Sequence, residues 1–248
     1  YAGDLFFPIG RAAEVLHAWR AWTATVPDDI TSMVHLLRVP PLPEVPEPLR
    51  GRAFAVIEAA CLGDAGTGAE LIGPLRALGP ELDTVAMIPA SALGQLNMDP
   101  SQPAAGEGDG AFLADFPAAA IDALVAAAGP DAQAPPDSIE VRHLGGALAR
   151  PAPVAGAQPS IDASYLLYAV GVTPTPGLAG PVRAHVQAVK GALAPWHASY
   201  DYYNFAEAPA PAAAVLPPAS VRRLQQIKAA YDPGQMIISA HPAWPARP

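Results

Sequence analysis

The stretch Arg52-Ala53-Phe54-Ala55-Val56-Ile57-Glu58-Ala59-Ala60-Cys61-Leu62-Gly63-Asp64-Ala65-Gly66-Thr67-Gly68-Ala69-Glu70-Leu71-Ile72 decides the architecture. Arg52 to Cys61 is the longest strand candidate in the chain, and Phe54, Val56 and Ile57 give it a buried face. Gly63 to Gly68 then leads into a helix. Thr67-Gly68-Ala69-Glu70 has capping-box spacing, in which the hydroxyl accepts from the third backbone N–H and the carboxylate reaches back to the cap. Leu71, Ile72, Leu75 and Leu78 form the apolar face of this helix, and Gly79-Pro80 stops it. The loop resembles a phosphate cradle only in its glycine content. It lacks the fingerprint of a doubly wound dinucleotide fold, so it reads as a turn into a capped helix.

Towards the amino terminus, Phe6 to Ile9 is a short strand candidate. In 11–25, Ala12, Val15, Leu16, Trp19 and Trp22 fall at helical spacing, with Arg11, Glu14 and Arg20 off that stripe. Met33 to Val39 is extended and apolar. Residues 40–48 hold five prolines, which predicts a surface loop of polyproline character between two strands. Towards the carboxy terminus, Thr84 to Ile88 is a strand candidate and 99–110 a mobile stretch rich in Pro and Gly. A helix runs from Pro117 to about 128, a Pro-rich turn occupies 134–136, and Ser138 to Leu144 is a strand. Residues 150–160 are loosely structured. Tyr165 to Val170 then reads as a strand and Pro181 opens a helix with Val182, Val186, Val189 and Leu193 on one face. Tyr200 to Phe205 reads as extended. The last helix, about 219–230, turns Val221, Leu224 and Ile227 inward, and Met236 to Ser239 closes with a short strand. The order β-α-β-β-α-β-α-β-β-α-β-α-β predicts an α+β fold: a large antiparallel or mixed sheet covered by helices on one face. One domain spanning 1–248 is expected, and no internal repeat of 20–50 residues is visible.

The 248 residues suffice for a sizeable core, and 51% hydrophobic against 15% charged residues argues against a disordered chain. A net charge of −9 argues against holding nucleic acid, which needs clustered Lys and Arg. No apolar run reaches the ~18–20 residues of a membrane span. Cys61 is the single cysteine, so no internal disulfide forms, and it is expected to pack as a small apolar side chain. The six histidines are scattered without metal-ligand spacing, so no metal site is expected. There is no Gly-x-Ser-x-Gly elbow and no P-loop. The chain opens on Tyr1 at a strand, with no signal-peptide pattern, which suggests a piece of a longer, cytoplasmic protein.

Three segments stand out. Val141-Arg142-His143-Leu144-Gly145-Gly146-Ala147 places a glycine pair after a strand, either as a turn or as a close approach for a backbone or flat ligand. Tyr200-Asp201-Tyr202-Tyr203-Asn204-Phe205 would, as a strand, turn Tyr202 and Asn204 to one face and Asp201 to the other. Such a face suits either a core or a small-molecule site. Arg223-Leu224-Gln225-Gln226-Ile227-Lys228-Ala229-Ala230-Tyr231-Asp232-Pro233 is a basic helix ending in an Asp-Pro turn.

Together and in this order, the three resemble the carboxy-terminal half of the FAD-linked oxidases related to berberine bridge enzyme. Members of that family end with a Tyr-x-Asn-(Phe/Tyr) strand and an Arg-Leu-x-x-(Ile/Val)-Lys-x-x-Tyr-Asp-Pro helix, and the bacterial branch carries Arg-x-x-Gly-Gly-Ala. The resemblance covers residues 1 to His241. It implies a substrate-binding domain that roofs the isoalloxazine ring, with FAD held mainly by an amino-terminal domain absent from this chain. The implied partners are that domain and a small-molecule substrate, with no nucleic acid and no membrane. The implied reaction is oxidation of an alcohol or amine by hydride transfer to flavin, commonly with reoxidation by dioxygen. Tyr202 would be the catalytic base or proton relay. Asn204 would face the flavin or hold Tyr202, and Arg142 and His143 would line the substrate pocket, although a merely packed or exposed His143 fits equally. Tyrosine ordinarily titrates near ~10, so a base role requires a neighbour or the flavin to lower it. The glutamate base and Pro-His-Arg segment of some plant members have no counterpart around 155–165. A non-catalytic α+β ligand-binding or dimerisation module is the competing reading; a cofactor-free hydrolase or isomerase has no motif behind it.

Overall fold

A computed structural model describes residues 1–43, 45–96, 103–133, 137–239 and 241. Seven strands form one sheet: β1 (Ala2–Pro8), β2 (Ile30–Arg38), β3 (Ala53–Cys61), β4 (Leu82–Asp83), β5 (Gly106–Leu113), β6 (Ser138–His143) and β7 (Tyr165–Val172). Their order is β4-β1-β3-β2-β6-β7-β5 and every pairing is antiparallel. The sheet is therefore the antiparallel form of the expected α+β architecture. The helices are α1 (Ala12–Thr23), α2 (Ala65–Arg76), α3 (Ala118–Ala128), α4 (Ala179–Ala192), α5 (Ala212–Val215) and α6 (Pro218–Tyr231).

Strand alternation sorts the residues. Leu5, Phe7, Val34, Leu36, Ala55, Ile57, Ile139, Val141, Leu167 and Ala169 pack in one cluster with Val15, Leu16 and Trp19 of α1, Ile72 and Leu75 of α2, Ile121 and Leu124 of α3, and Val186 and Val189 of α4. The apolar stripes read from the sequence of α1, α2 and α4 thus all meet the same face of the sheet. Cys61 is buried and unpaired in that cluster, packing as an apolar residue.

Several expectations are corrected. Part of the stretch taken as mobile is strand β5. Its glycines 106, 108 and 110 alternate with larger residues, and each lies where a side chain would strike a neighbour. A Cβ on Gly110 would stand 2.9 Å from the Leu167 carbonyl oxygen and 3.0 Å from the Phe205 Cβ. The cap of α2 is Asp64, whose carboxylate accepts from the Thr67 N–H at 2.9 Å, so the helix begins before the Thr67 box. That bond holds the Asp64 carboxyl below its usual range. Tyr200 to Phe205 is not a strand; Tyr203–Phe205 is a 3-10 turn. Met236 to Ser239 joins no strand, and α6 buries no residue, with Ile227 exposed instead of inward. Residues 99–102 of the mobile stretch and the turn at 134–136 lie outside the described residues.

Candidate functional site

The second face of the sheet, turned away from α1 to α4, is polar across its middle. Strand register aligns Asp4, Glu58, Met33, Arg142, Leu166 and Phe112 in one row. The next row is Phe6, Val56, His35, Glu140, Tyr168 and Gly110. At one end Phe6, Phe54, Val56 and Leu49 form an apolar cluster with Val39 and Val45 of the proline-rich loop. At the other, Phe112, Ile161 and Leu166 pack with Tyr200, Tyr202 and Phe205. Between them the ionisable groups touch. His35 Nε2 lies 3.9 Å from Glu58 Oε2, and Arg142 donates from Nε and Nη2 to Glu140 Oε2 at 2.9 and 2.6 Å. Tyr168 donates to Glu207 Oε1 at 2.5 Å, while Glu207 Oε2 accepts the Gly108 N–H at 3.0 Å. Burial, then the neighbouring Glu207, raises the Tyr168 phenol well above its ordinary value, so it stays a donor. Asp4 is 6% exposed, and burial pushes its carboxyl up to about 7.

The segment carrying Tyr202 runs along the outer edge of β5. The Ala198 N–H donates to the Phe112 carbonyl at 2.8 Å, and His197 bridges Leu113. Tyr202 lies stacked between Phe112, at 5.1 Å, and Phe205, at 5.5 Å. Asn204 Nδ2 approaches the Tyr202 hydroxyl at 3.4 Å, and the Arg142 guanidinium sits 5.1 Å from the Phe205 ring centroid. Asp201 turns the other way and meets Lys190 of α4 at 2.9 Å. Lys190 also donates to Asp109 Oδ2 at 3.1 Å, and Gln187 donates to the same oxygen at 2.9 Å. A part-buried charge cluster thus ties the Tyr202 segment to β5 and α4.

Three of the sequence-predicted residues, Tyr202, Asn204 and Arg142, come together on the second face. His143 does not join them. It follows Arg142 in β6, so alternation turns it to the helix side, where its ring lies 5.8 Å from Tyr165. Burial holds its imidazole below the ordinary value. Gly145 and Gly146, with φ of +121° and +52°, form the turn reading of that pair. Glu140, Tyr168 and Glu207 were not singled out by sequence. The signal for the first was period-two polarity in Ser138-Ile139-Glu140-Val141-Arg142; the Tyr168–Glu207 pair is long-range and left no local signal. Among the described residues no group of three His, Cys, Asp or Glu side chains is placed to hold a metal ion, and no helix is long and apolar enough to cross a membrane.

No protein-family model matches the chain, and no curated protein matches it. Solved structures do. BBE-like 1 of Physcomitrella patens superposes with a TM-score of 0.76 at 15% identity, covering 98% of this chain and 54% of that one. 6-Hydroxy-D-nicotine oxidase from Arthrobacter nicotinovorans gives 0.69 at 16% identity, covering 94% and 52%. Aclacinomycin oxidoreductase gives 0.70 at 14% identity, covering 96% and 54%. The chain is thus an antiparallel sheet backed by helices, with a polar and aromatic second face. More particularly, it has the fold of one half of BBE-like 1 and of these two enzymes, and it spans about half the length of those structures.

Proposed function

We propose that this chain is the substrate-binding half of an FAD-dependent oxidoreductase that oxidises an alcohol or amine of a small molecule, with dioxygen as the final acceptor. One observation carries the reading: Tyr202, Asn204 and Arg142 gather on the face turned away from α1 to α4, in a sheet whose structural neighbours include a named oxidase and a named oxidoreductase.

The donor set on that face suits the edge of a flavin ring. The Arg142 guanidinium and the Asn204 amide offer N–H donors, and the stacked Tyr202 and Phe205 offer an aromatic bank. The rest of the cofactor does not fit this chain. Its one glycine-rich loop before a helix already holds a carboxylate, Asp64, on the first-turn N–H, where a phosphate would have to bind. That division supports a second, amino-terminal half that holds most of the FAD. The exposed apolar side chains of Tyr231, Met236 and Ile238, at 81–91% exposure on and after α6, support a covering surface there.

When bound, the flavin would supply the two-electron acceptor. The chain's own residues would bind and orient substrate and move its proton. Of the phenols on this face, Tyr168 is held protonated by burial and Glu207. Tyr202 has an amide at its hydroxyl and no carboxylate partner among the described residues, which supports it as the proton relay. Asn204 positions that hydroxyl, and Arg142, fixed by Glu140, presents a charged donor towards substrate.

The test is made on the full-length gene product. It should purify with flavin absorbance, and Tyr202→Phe should slow flavin reduction by roughly 10²-fold or more. A colourless full-length protein overturns the reading, and so does a Tyr202→Phe protein that reduces its flavin at the parent rate.

A further inference from the structure

We propose that the cleft where β6 ends and β7 begins is a binding site for a small aromatic carboxylate, one that Tyr202, Asn204 and Arg142 do not line. The cleft encloses about 600 Å³, framed by the last turn of α1, the loop after β5 and the facing ends of β6 and β7. That volume lies within the ~300–1,000 Å³ of small-molecule sites. Its wall belongs to the helix side of the sheet, since Tyr165 packs against Trp19 and Phe116 at 5.7 Å each.

The polar groups in the cleft have unspent capacity of a definite kind. Arg20 Nε is buried and meets no acceptor among the described residues. A charged N–H left this way is destabilising until an oxygen reaches it. Among the described residues the guanidinium's only ion-pair contact is Asp115 Oδ1 at 3.6 Å, and that oxygen is already held by the Phe116 N–H at 2.7 Å. The pair is half-exposed and contributes little. A planar fork with an unused donor matches a carboxylate. Asp115 and Asp162 also line the cleft, so a singly charged anion fits better than a dianionic phosphate.

The rest of the lining favours a flat body. The His143 and Tyr165 rings stand 5.8 Å apart and form an aromatic wall. Burial keeps His143 neutral, with one donor and one acceptor. At the floor the Thr23 hydroxyl donates to the Arg20 carbonyl at 2.8 Å, so in the 2.9 Å Thr23–Tyr165 contact the phenol is the donor. The Tyr165 oxygen is therefore left as an acceptor for a ligand hydroxyl.

The probe is sodium benzoate, titrated into the protein at constant ionic strength and followed by calorimetry and by intrinsic tryptophan fluorescence. Saturable 1:1 binding with Kd of ~1 mM or tighter is expected. Arg20→Gln should weaken it at least tenfold, Arg20→Lys should not restore it, and neutral benzamide should bind at least tenfold more weakly. Ser164→Trp, at an exposed position lining the cleft, tests the location by blocking it should Arg20→Gln fail to fold. Tyr202→Phe should leave benzoate binding unchanged, which separates this result from the fate of the oxidoreductase reading. The proposal is overturned by an absence of saturation, by equal binding of benzamide, or by undiminished binding to Ser164→Trp.

Discussion

The two faces of one sheet carry opposite chemistry, although the same strands build both. On the helix side, Leu5, Phe7, Ile57, Val34, Val141 and Leu167 are each no more than 1% exposed and pack together in one apolar cluster. Step one residue along the same strands and the side chains become Asp4, Glu58, His35, Glu140, Arg142 and Tyr168. Fold stability resides on the first face, at about 25 cal/mol per Å² of apolar area buried. The second keeps buried ionisable groups that are hard to justify as stabilising. Even the charges on the helix side differ in kind: Asp109 is 5% exposed but accepts from Gln187, Lys190 and the Gly110 N–H. No hydrogen bond reaches the Asp4 carboxyl among the described residues. The contrast is between Asp109, whose carboxylate is satisfied, and Asp4, whose carboxyl is not.

The largest effect should come from the first face. Phe7→Ala removes a fully buried ring between sheet and helices, and about 3–5 kcal/mol of unfolding free energy should go with it in urea titration. A loss under ~1 kcal/mol would mean that this face is not the stabilising one. The next tests the second face through pH. The Asp4 carboxyl moves from ~3.9 in an unfolded chain to about 7 when folded, so the folded state binds its proton more tightly. Its contribution is full below about pH 4 and is lost as pH rises through 7, at most roughly 3–4 kcal/mol in all. Asp4→Asn should flatten the decline in unfolding midpoint between pH 5 and 8 relative to the parent. A parallel decline in both proteins would return Asp4 to the satisfied class.

Lys190→Met probes the satisfied charges. It strands Asp109 and Asp201 together, and a loss of about 2–3 kcal/mol is expected, with Lys190→Arg recovering part of it. Because Asp201 adjoins Tyr202, the near-ultraviolet circular dichroism of the stacked aromatic rings should change as well.

How much of this was legible in the sequence follows from range. The helix stripes Val15, Leu16, Trp19 and Val186, Val189 were readable because burial repeats with the helix period. The fold class followed from element order, and the resemblance motifs named the half of the oxidase fold. Two things were not legible. The Tyr202 segment has strand-like residues but lies outside β5 as an edge cover, and only the tertiary contacts with Phe112 and Lys190 decide that. Strand β5 itself, Gly106-Glu107-Gly108-Asp109-Gly110, reads as a loop by composition. Gly108 and Gly110 answer in part to Glu207 and Phe205, ninety or more residues away, which no local window contains.

That long-range dependence gives the smallest and most discriminating test. Gly110 sits under the Tyr202 segment, and an added Cβ would meet the Leu167 carbonyl, the Phe205 Cβ and the Phe205 carbonyl at 2.9, 3.0 and 3.2 Å. Two of these are backbone atoms, so neither partner can rotate away. Because the Leu167 carbonyl is fixed within the sheet, β5 must shift slightly and the segment over it must lift away. Gly110→Ala should therefore cost about 1–2 kcal/mol. It should also loosen the Phe112–Tyr202–Phe205 stack, read as lost near-ultraviolet dichroism at unchanged far-ultraviolet signal. Gly94→Ala, where an added Cβ meets nothing, is the control. If Gly110→Ala behaves like that control, the glycines of β5 reflect composition alone, and the close seating of the aromatic segment is not what they provide.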